Sequence, residues 1–348
     1  MTNLLEMKEN LKNFYGKYEV YITPVLKFIL ALITFITINT NIGFMLRLKN
    51  PAIVLITALM CSFLPLQVIL LLGALFIVIH LYSLSLECAI VVAALFLLMF
   101  LLYFRFTPRD TMAVLATPIC FALHIPYAVP ITMGLVSSPL SAISVSCGVI
   151  IYYVLNYIKI NSAALGNLEA DSAIQKFQYV VDNVTNNKIM LVMVMAFSIT
   201  VILVYLIRRL SVNHSWRIAM ICGGITNMLI VMFGDLFLDL NVSIMGVIVG
   251  TLISLVLTFA LQFFIFSVDY TRTEYVQFED DEYYYYVKAV PKMVVAAPEK
   301  KVKRINPQKK NTDSIRTVRS NTSKSEHVRR EFDRELLISE DEFDDYNK

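Results

Sequence analysis

Ionisable and amide side chains are expensive inside hydrocarbon, so the few that interrupt the long apolar stretches of this chain are where chemistry would sit. In the stretch 218–240, Gly223, Asn227 and Gly234 fall near one line of a helix, with Gly224, Asp235 and Asp239 beside them. At helical spacing these positions form a small and polar stripe that turns away from lipid. One reading is a substrate or ion path lined by Asn227 and Asp235. The plainer reading puts both aspartates at the aqueous end of the helix and leaves the glycines to admit a neighbour. His124 is the other candidate: it stands between Pro118 and Pro126, where the backbone should be irregular, and irregular helices line many transporter sites. Its plainer alternative is a structural role.

Other chemistries find little support. Neither His80 nor His124 has a second His, Cys or carboxylate at a metal-ligand offset, so no metal is expected, and His80 reads as interfacial. Glu87 suits the positive end of a helix that begins near it. The five cysteines, Cys61, Cys88, Cys120, Cys147 and Cys222, lie in apolar stretches without paired spacing, as packing residues do. The chain lacks a G-x-x-x-x-G-K-[ST] phosphate loop, an H-E-x-x-H zinc helix and a G-x-S-x-G elbow. An enzyme is therefore not expected, nor a cofactor, nor nucleic-acid recognition. Gly246 and Gly250, with Ser254 four further on, make a small-xxx-small pattern that permits close helix contact.

The elements that must position these residues follow from composition. Hydrophobic residues make up 57% of the chain and mean hydropathy is +0.65, even with a charged C-terminal region averaged in. A span needs roughly 20 apolar residues, and several segments reach that length without an internal charge. The expected fold is an all-α polytopic integral membrane bundle of about eight transmembrane helices with Pro-broken segments. Its spans are 21–44, 66–82, 86–104, 111–136, 138–157, 189–207, 218–240 and 243–266, with 51–63 a half-length or tilted segment set off by Pro65. No small-residue cleavage site follows the first apolar stretch, so that span is expected to be retained after a polar segment 1–20. Pro118, Pro126 and Pro130 break the segment 111–136, which should therefore face the bundle interior. A surface helix is plausible in the polar interval 159–188, where Ile174, Phe177 and Val181 have helical spacing.

Sidedness follows from Lys and Arg near the spans. The tail and Arg208, Arg209 and Arg217 agree on a cytoplasmic C-terminus in a bacterial cytoplasmic membrane. The front half conflicts: with eight full crossings Arg47, Lys49, Arg105 and Arg109 fall outside, whereas a re-entrant 111–136 brings those four inside and moves the N-terminus out. Eight full crossings are expected.

After the transmembrane domain 21–268, a juxtamembrane region 269–297 carries a β-hairpin signal: 273–278 and 283–290 are rich in Thr, Tyr, Val and Phe around the acidic Glu279, Asp280, Asp281 and Glu282. After Pro291, residues 294–297 read as a third short strand. From 298 to 348 the sequence is charged and poor in aromatics, which predicts a disordered cytoplasmic tail. Its basic run, Lys300, Lys301, Lys303 and Arg304, would contact anionic lipid or a partner. The acidic end suits a solvated or partner-docking segment.

The segment 268–291, VDYTRTEYVQFEDDEYYYYVKAVP, taken with the Pro-broken stretch before it, resembles a group of bacterial multi-pass membrane proteins labelled ABC-transporter permease or uncharacterised. The resemblance covers most of 21–306 and implies a permease-like subunit energised by a separate ATPase or other partner. The alternative is a non-transporting envelope scaffold that recruits a cytoplasmic protein through its tail.

Overall fold

The computed structural model describes residues 2–167, 178, 181–182, 185–240, 242–266, 274–279 and 284–289. The helices are α1 (Thr2–Ile42), α2 (Pro51–Phe63), α3 (Leu66–Leu84), α4 (Leu86–Phe106), α5 (Thr111–Ala122) and α6 (Ala128–Val136). They continue with α7 (Ser141–Ile160), α8 (Ser162–Asn167), α9 (Lys188–Arg208), α10 (Ser215–Leu238) and α11 (Ile244–Phe266), before strands β1 (Glu274–Glu279) and β2 (Tyr284–Ala289). Local chemistry sets several boundaries. Asn50 caps α2 by accepting the Ala52 N–H, with Pro51 at the first helical position, and Asn187 caps α9 by accepting from Met190. The first helix extends through the polar segment expected before it, with one non-helical residue at Tyr18 (φ −116°, ψ 18°).

Seven helices are long and apolar enough to cross a membrane: the Asn10–Ile42 part of α1, α3, α4, α7, α9, α10 and α11 up to Phe264. Hydrogen bonds between elements sort their ends into two groups. At the near end, Lys27 Nζ donates to the Leu64 carbonyl and Ser62 to that of Pro24, so α2 finishes beside the early part of the apolar stretch of α1. Gln67 donates to the Pro108 carbonyl there, joining the start of α3 to the end of α4, and Ser144 Oγ donates to Thr107 Oγ1. At the far end, Asn39 meets His80, and Lys159 Nζ donates to Asn41 Oδ1. α2 thus runs back along α1 although it has only 13 residues.

The segment 111–136 does not form the eighth long crossing expected of it. Ser137, after α6, donates its hydroxyl proton to both carboxylate oxygens of Asp110, before α5, at 2.8 and 3.0 Å. A single helix of this length would hold those residues roughly 40 Å apart. α5 and α6 are instead the two arms of a hairpin that enters from the near end and returns to it. Arg208, at the end of α9, fastens the same foot by donating to the Ser137 carbonyl at 2.7 Å, with its guanidinium over the rings of Tyr205 and Trp216.

The arms pack against neighbours, with Val114, Thr117, Phe121, Val129, Ile131 and Leu135 buried, whereas Ala122, Leu123 and His124 at the turn are exposed. Two glycines allow the approach. A Cβ on Gly148 of α7 would lie 2.5 Å from Thr117 Cβ of α5, and one on Gly134 of α6 would lie 2.7 Å from Val204 Cβ of α9. Large apolar side chains such as Leu59, Leu101, Leu206, Phe233 and Val256 stay exposed on the outer surface of the bundle. β1 and β2 pair antiparallel with Val276 opposite Val287. The surface helix proposed around Ile174 and Phe177, the acidic residues 280–282, the possible strand 294–297 and the tail 298–348 lie outside the described residues.

The hairpin foot gives a direct test. In a background without the native cysteines, Asp110→Cys with Ser137→Cys should be joined by a short bifunctional thiol reagent, seen as a mobility shift reversed on cleavage of the linker. A pair that remains unlinked under conditions that modify both thiols would contradict the hairpin.

Candidate functional site

The hairpin turns through a Schellman motif. The Ile125 N–H bonds to the Cys120 carbonyl at 2.9 Å and the His124 N–H to that of Phe121 at 3.1 Å, the 6→1 and 5→2 pattern that closes a helix C-terminus. This places His124 in the left-handed region, φ 60°, at the position where glycine is usual. Pro126 follows and keeps the helix from resuming. An L-residue in this conformation costs about 1–2 kcal/mol. Strain of this kind gathers where a site holds its residues in place. The turn is braced from the side: Phe121 stacks on Tyr152 of α7 with centroids 4.3 Å apart, and its other face meets the Phe197 ring of α9 at 5.8 Å.

His124 lines a cavity of about 280 Å³ bounded by α1, α3, α4, α5 and α7. Its polar residues come chiefly from two helices at matching intervals. Thr34, Thr37 and Asn41 share a face of α1, and Tyr152, Asn156 and Lys159 share a face of α7. The polar groups gather toward the far end, where Asn41 accepts from Lys159 at 3.0 Å and its own Nδ2 donates to the Thr37 carbonyl at 2.9 Å. Toward the middle of the bundle the wall is apolar, from Leu70, Phe96, Phe100, Leu115 and Ile119. Among the described residues, Lys159 is the one formally charged side chain of the lining, so the cavity carries a cation at one end and hydrocarbon at the other. Small-molecule pockets of roughly 300–1,000 Å³ with a few placed polar groups have this composition.

The far-end loop is held by a separate buried arrangement. His80 is fully buried; its Nδ1 accepts the Met45 N–H at 3.1 Å, which leaves Nε2 to donate to Asn39 Oδ1 at 2.8 Å. Asn39 in turn donates to the Leu48 carbonyl at 3.0 Å. His80 is therefore an internal tie that holds the loop after α1, the helix whose last turn carries Asn41.

The residues singled out from sequence do not converge on this cavity. His124 lines it. Asn227 of α10 is fully buried, and neither amide atom has a hydrogen-bond partner; Ser254 of α11 is likewise buried with its hydroxyl unpartnered. Asp235 accepts the Val242 N–H at 2.9 Å and so ties the α10–α11 connection, while Asp239 takes a left-handed conformation (φ 49°) at the end of α10. Gly250 faces the turn: a Cβ there would lie 3.0 Å from the Tyr127 ring and 3.5 Å from the His124 carbonyl oxygen. A Cβ on Gly246 would meet only Ser243 of its own helix entrance. Glu87 accepts a hydrogen bond from Ser85 at the start of α4. Lys300, Lys301, Lys303 and Arg304 lie outside the described residues. No group of three or more His, Cys, Asp or Glu side chains could hold a metal ion among the described residues.

Asn41, Asn156 and Lys159 were not among the residues first singled out. Their signal was the i, i+3, i+4, i+7 spacing of Thr34, Thr37, Ile38 and Asn41, repeated by Tyr152, Leu155, Asn156 and Lys159. Comparison with family models, curated proteins and solved structures finds no match to this chain.

Two substitutions test the packing around the site. Asn227→Leu should raise the melting temperature of the purified protein, because each unpartnered buried polar group costs about 1–3 kcal/mol; a fall would reveal a partner for the amide. Gly148→Val should lower it, by about 1–3 kcal/mol of overpacking against Thr117, with the same thermal scan as the readout.

Proposed function

We propose that this chain is the transmembrane, permease-like subunit of a transport system, with the cavity at the tip of the α5–α6 hairpin as its substrate site and a separate ATPase or other partner as its energy source. The observation that carries this reading is the interrupted hairpin itself. Interrupted helices that end inside a bundle offer polar backbone and side chains at membrane depth, the arrangement by which many transporters hold a solute. A strained turn residue on the cavity wall and a mixed polar and apolar lining support the same reading.

Sidedness in this proposal follows from the helix directions. The near end carries Arg105, Arg109, Arg208, Arg209 and Arg217 in or beside its short connections, whereas the far-end connections carry Arg47, Lys49, Lys159 and Lys188. By the preference for basic residues in cytoplasmic loops, the near end is cytoplasmic, and α1 enters and α11 leaves there. With α2 running from far end to near end as a short crossing and the hairpin returning to its own side, the N- and C-terminal segments share the cytoplasm. Arg105 and Arg109 then join the cytoplasmic group, whereas Arg47, Lys49, Lys159 and Lys188 at the far end oppose the bias.

Single-cysteine variants check the sidedness: in intact cells, Lys49→Cys should react with a membrane-impermeant maleimide and Arg209→Cys only after permeabilisation. For transport, affinity purification of the full chain should recover an ATPase, and vesicles holding both should move solute only when ATP is supplied. Vesicles that take up nothing across a broad solute panel would overturn the transport reading.

A further inference from the structure

The cavity at the hairpin tip is separated from a second hollow by a thin wall. On the outer surface, α3 and α4 enclose a groove of about 450 Å³ lined only by apolar residues, among them Leu75, Leu97 and Leu101, which are exposed on the outer surface of the bundle. Ala74, Phe96 and Phe100 line both hollows. Ala74 contributes only a methyl group to this wall, and the rings of Phe96, which is buried, and Phe100, which is half-buried, make up the rest. A molecule with its polar part beside Lys159, Asn41 and Asn156 would have its apolar part directed at that partition, with a hydrocarbon-compatible groove beyond.

We infer that the ligand of this cavity is an anionic lipid, which enters sideways between α3 and α4. Its charged headgroup sits at Lys159 and its acyl chain crosses the Ala74, Phe96 and Phe100 partition into the outer groove. The inference rests on the proposed transport role of the cavity and specifies its substrate class. Charge selects the sign of the headgroup, since Lys159 is the single formal charge among the described lining residues. The partition selects a lipid over a water-soluble anion: a small anion has no use for apolar walls on both sides of Phe100, and burying each methylene of a chain contributes about 0.8 kcal/mol. Because the polar cluster lies at the far end, the headgroup is taken at the level of the outer leaflet in the proposed orientation.

The test is native mass spectrometry of the full-length protein released from detergent after exposure to phosphatidylglycerol, phosphatidylcholine, hexyl phosphate or inorganic phosphate. Phosphatidylglycerol should be retained in preference to phosphatidylcholine. Lys159→Gln should weaken phosphatidylglycerol retention about tenfold, as loss of one charge-assisted contact does, and Lys159→Arg should restore it. Ala74→Trp should abolish retention of the long-chain lipid while hexyl phosphate still binds, which separates a blocked portal from a misfolded protein. Equal retention of both phospholipids, or phosphatidylglycerol binding indifferent to Lys159→Gln and Ala74→Trp, overturns the inference. Binding of hexyl phosphate and inorganic phosphate with no lipid retained also overturns it, yet leaves a transport role for a soluble anion standing. An inert cavity that binds none of the probes, in a protein that still drives ATP-dependent uptake, places the transport path elsewhere.

Discussion

The arrangement of the bundle depends on Ser137. Its hydroxyl is given to the Asp110 carboxylate and its carbonyl receives the Arg208 guanidinium, so the end of α6, the start of α5 and the end of α9 meet at one residue. Charge-assisted hydrogen bonds are about twice as strong as neutral ones, and these two act together on the foot of the hairpin. With the foot closed, α5 and α6 must turn back inside the bundle. The direction of every later helix follows from that return.

A turn placed among packed helices carries costs that the surrounding residues must offset. The Schellman bonds satisfy backbone groups at the end of α5, Pro130 falls in the first turn of α6 where its missing N–H is tolerated, and the rings of Tyr152 and Phe197 hold Phe121 from two sides. Pro118 removes the donor that the Val114 carbonyl would otherwise meet, and Gly148 brings α7 close to that carbonyl. The left-handed His124 is not relieved by any of these. Glycine would fit the backbone better, and a bulky side chain kept there despite the strain faces the cavity. Asn227 presents the opposite case, a polar group in the packed interior whose hydrogen-bonding capacity is unused.

Much of this could be read from the amino acids, but unevenly. Long charge-free stretches announced α4, α9 and α11, because length against hydrocarbon thickness is a one-dimensional property. The prolines correctly marked 111–136 as broken without saying where: Pro118 lies within a continuous α5, and the break falls at His124, whose left-handed backbone has no composition signal. Whether the segment crossed or returned depended on a contact between Asp110 and Ser137, 27 positions apart, which periodicity cannot register. The cavity was legible in principle through the repeated spacing on α1 and α7. Carboxylates and histidines stand out in an apolar sequence, whereas threonines and asparagines are common on helix interfaces and only their pairing across space gives them meaning. Asp235 drew notice for its charge, which serves a loop contact instead.

The shortness of α2 has a consequence beyond the protein itself. Its 13 residues rise about 20 Å, against a hydrocarbon layer of about 30 Å, and Leu55, Ile56, Leu59, Met60 and Phe63 are all exposed on its surface. In the proposed orientation the lipid beside this helix cannot keep its ordinary thickness; it must pinch inward or draw headgroups toward the midplane. Such a dimple would disorder neighbouring acyl chains and lower the barrier to their rearrangement next to the bundle. Bilayer thickness then becomes a variable acting on the protein, and membranes of longer-chain lipids would press on α2 first.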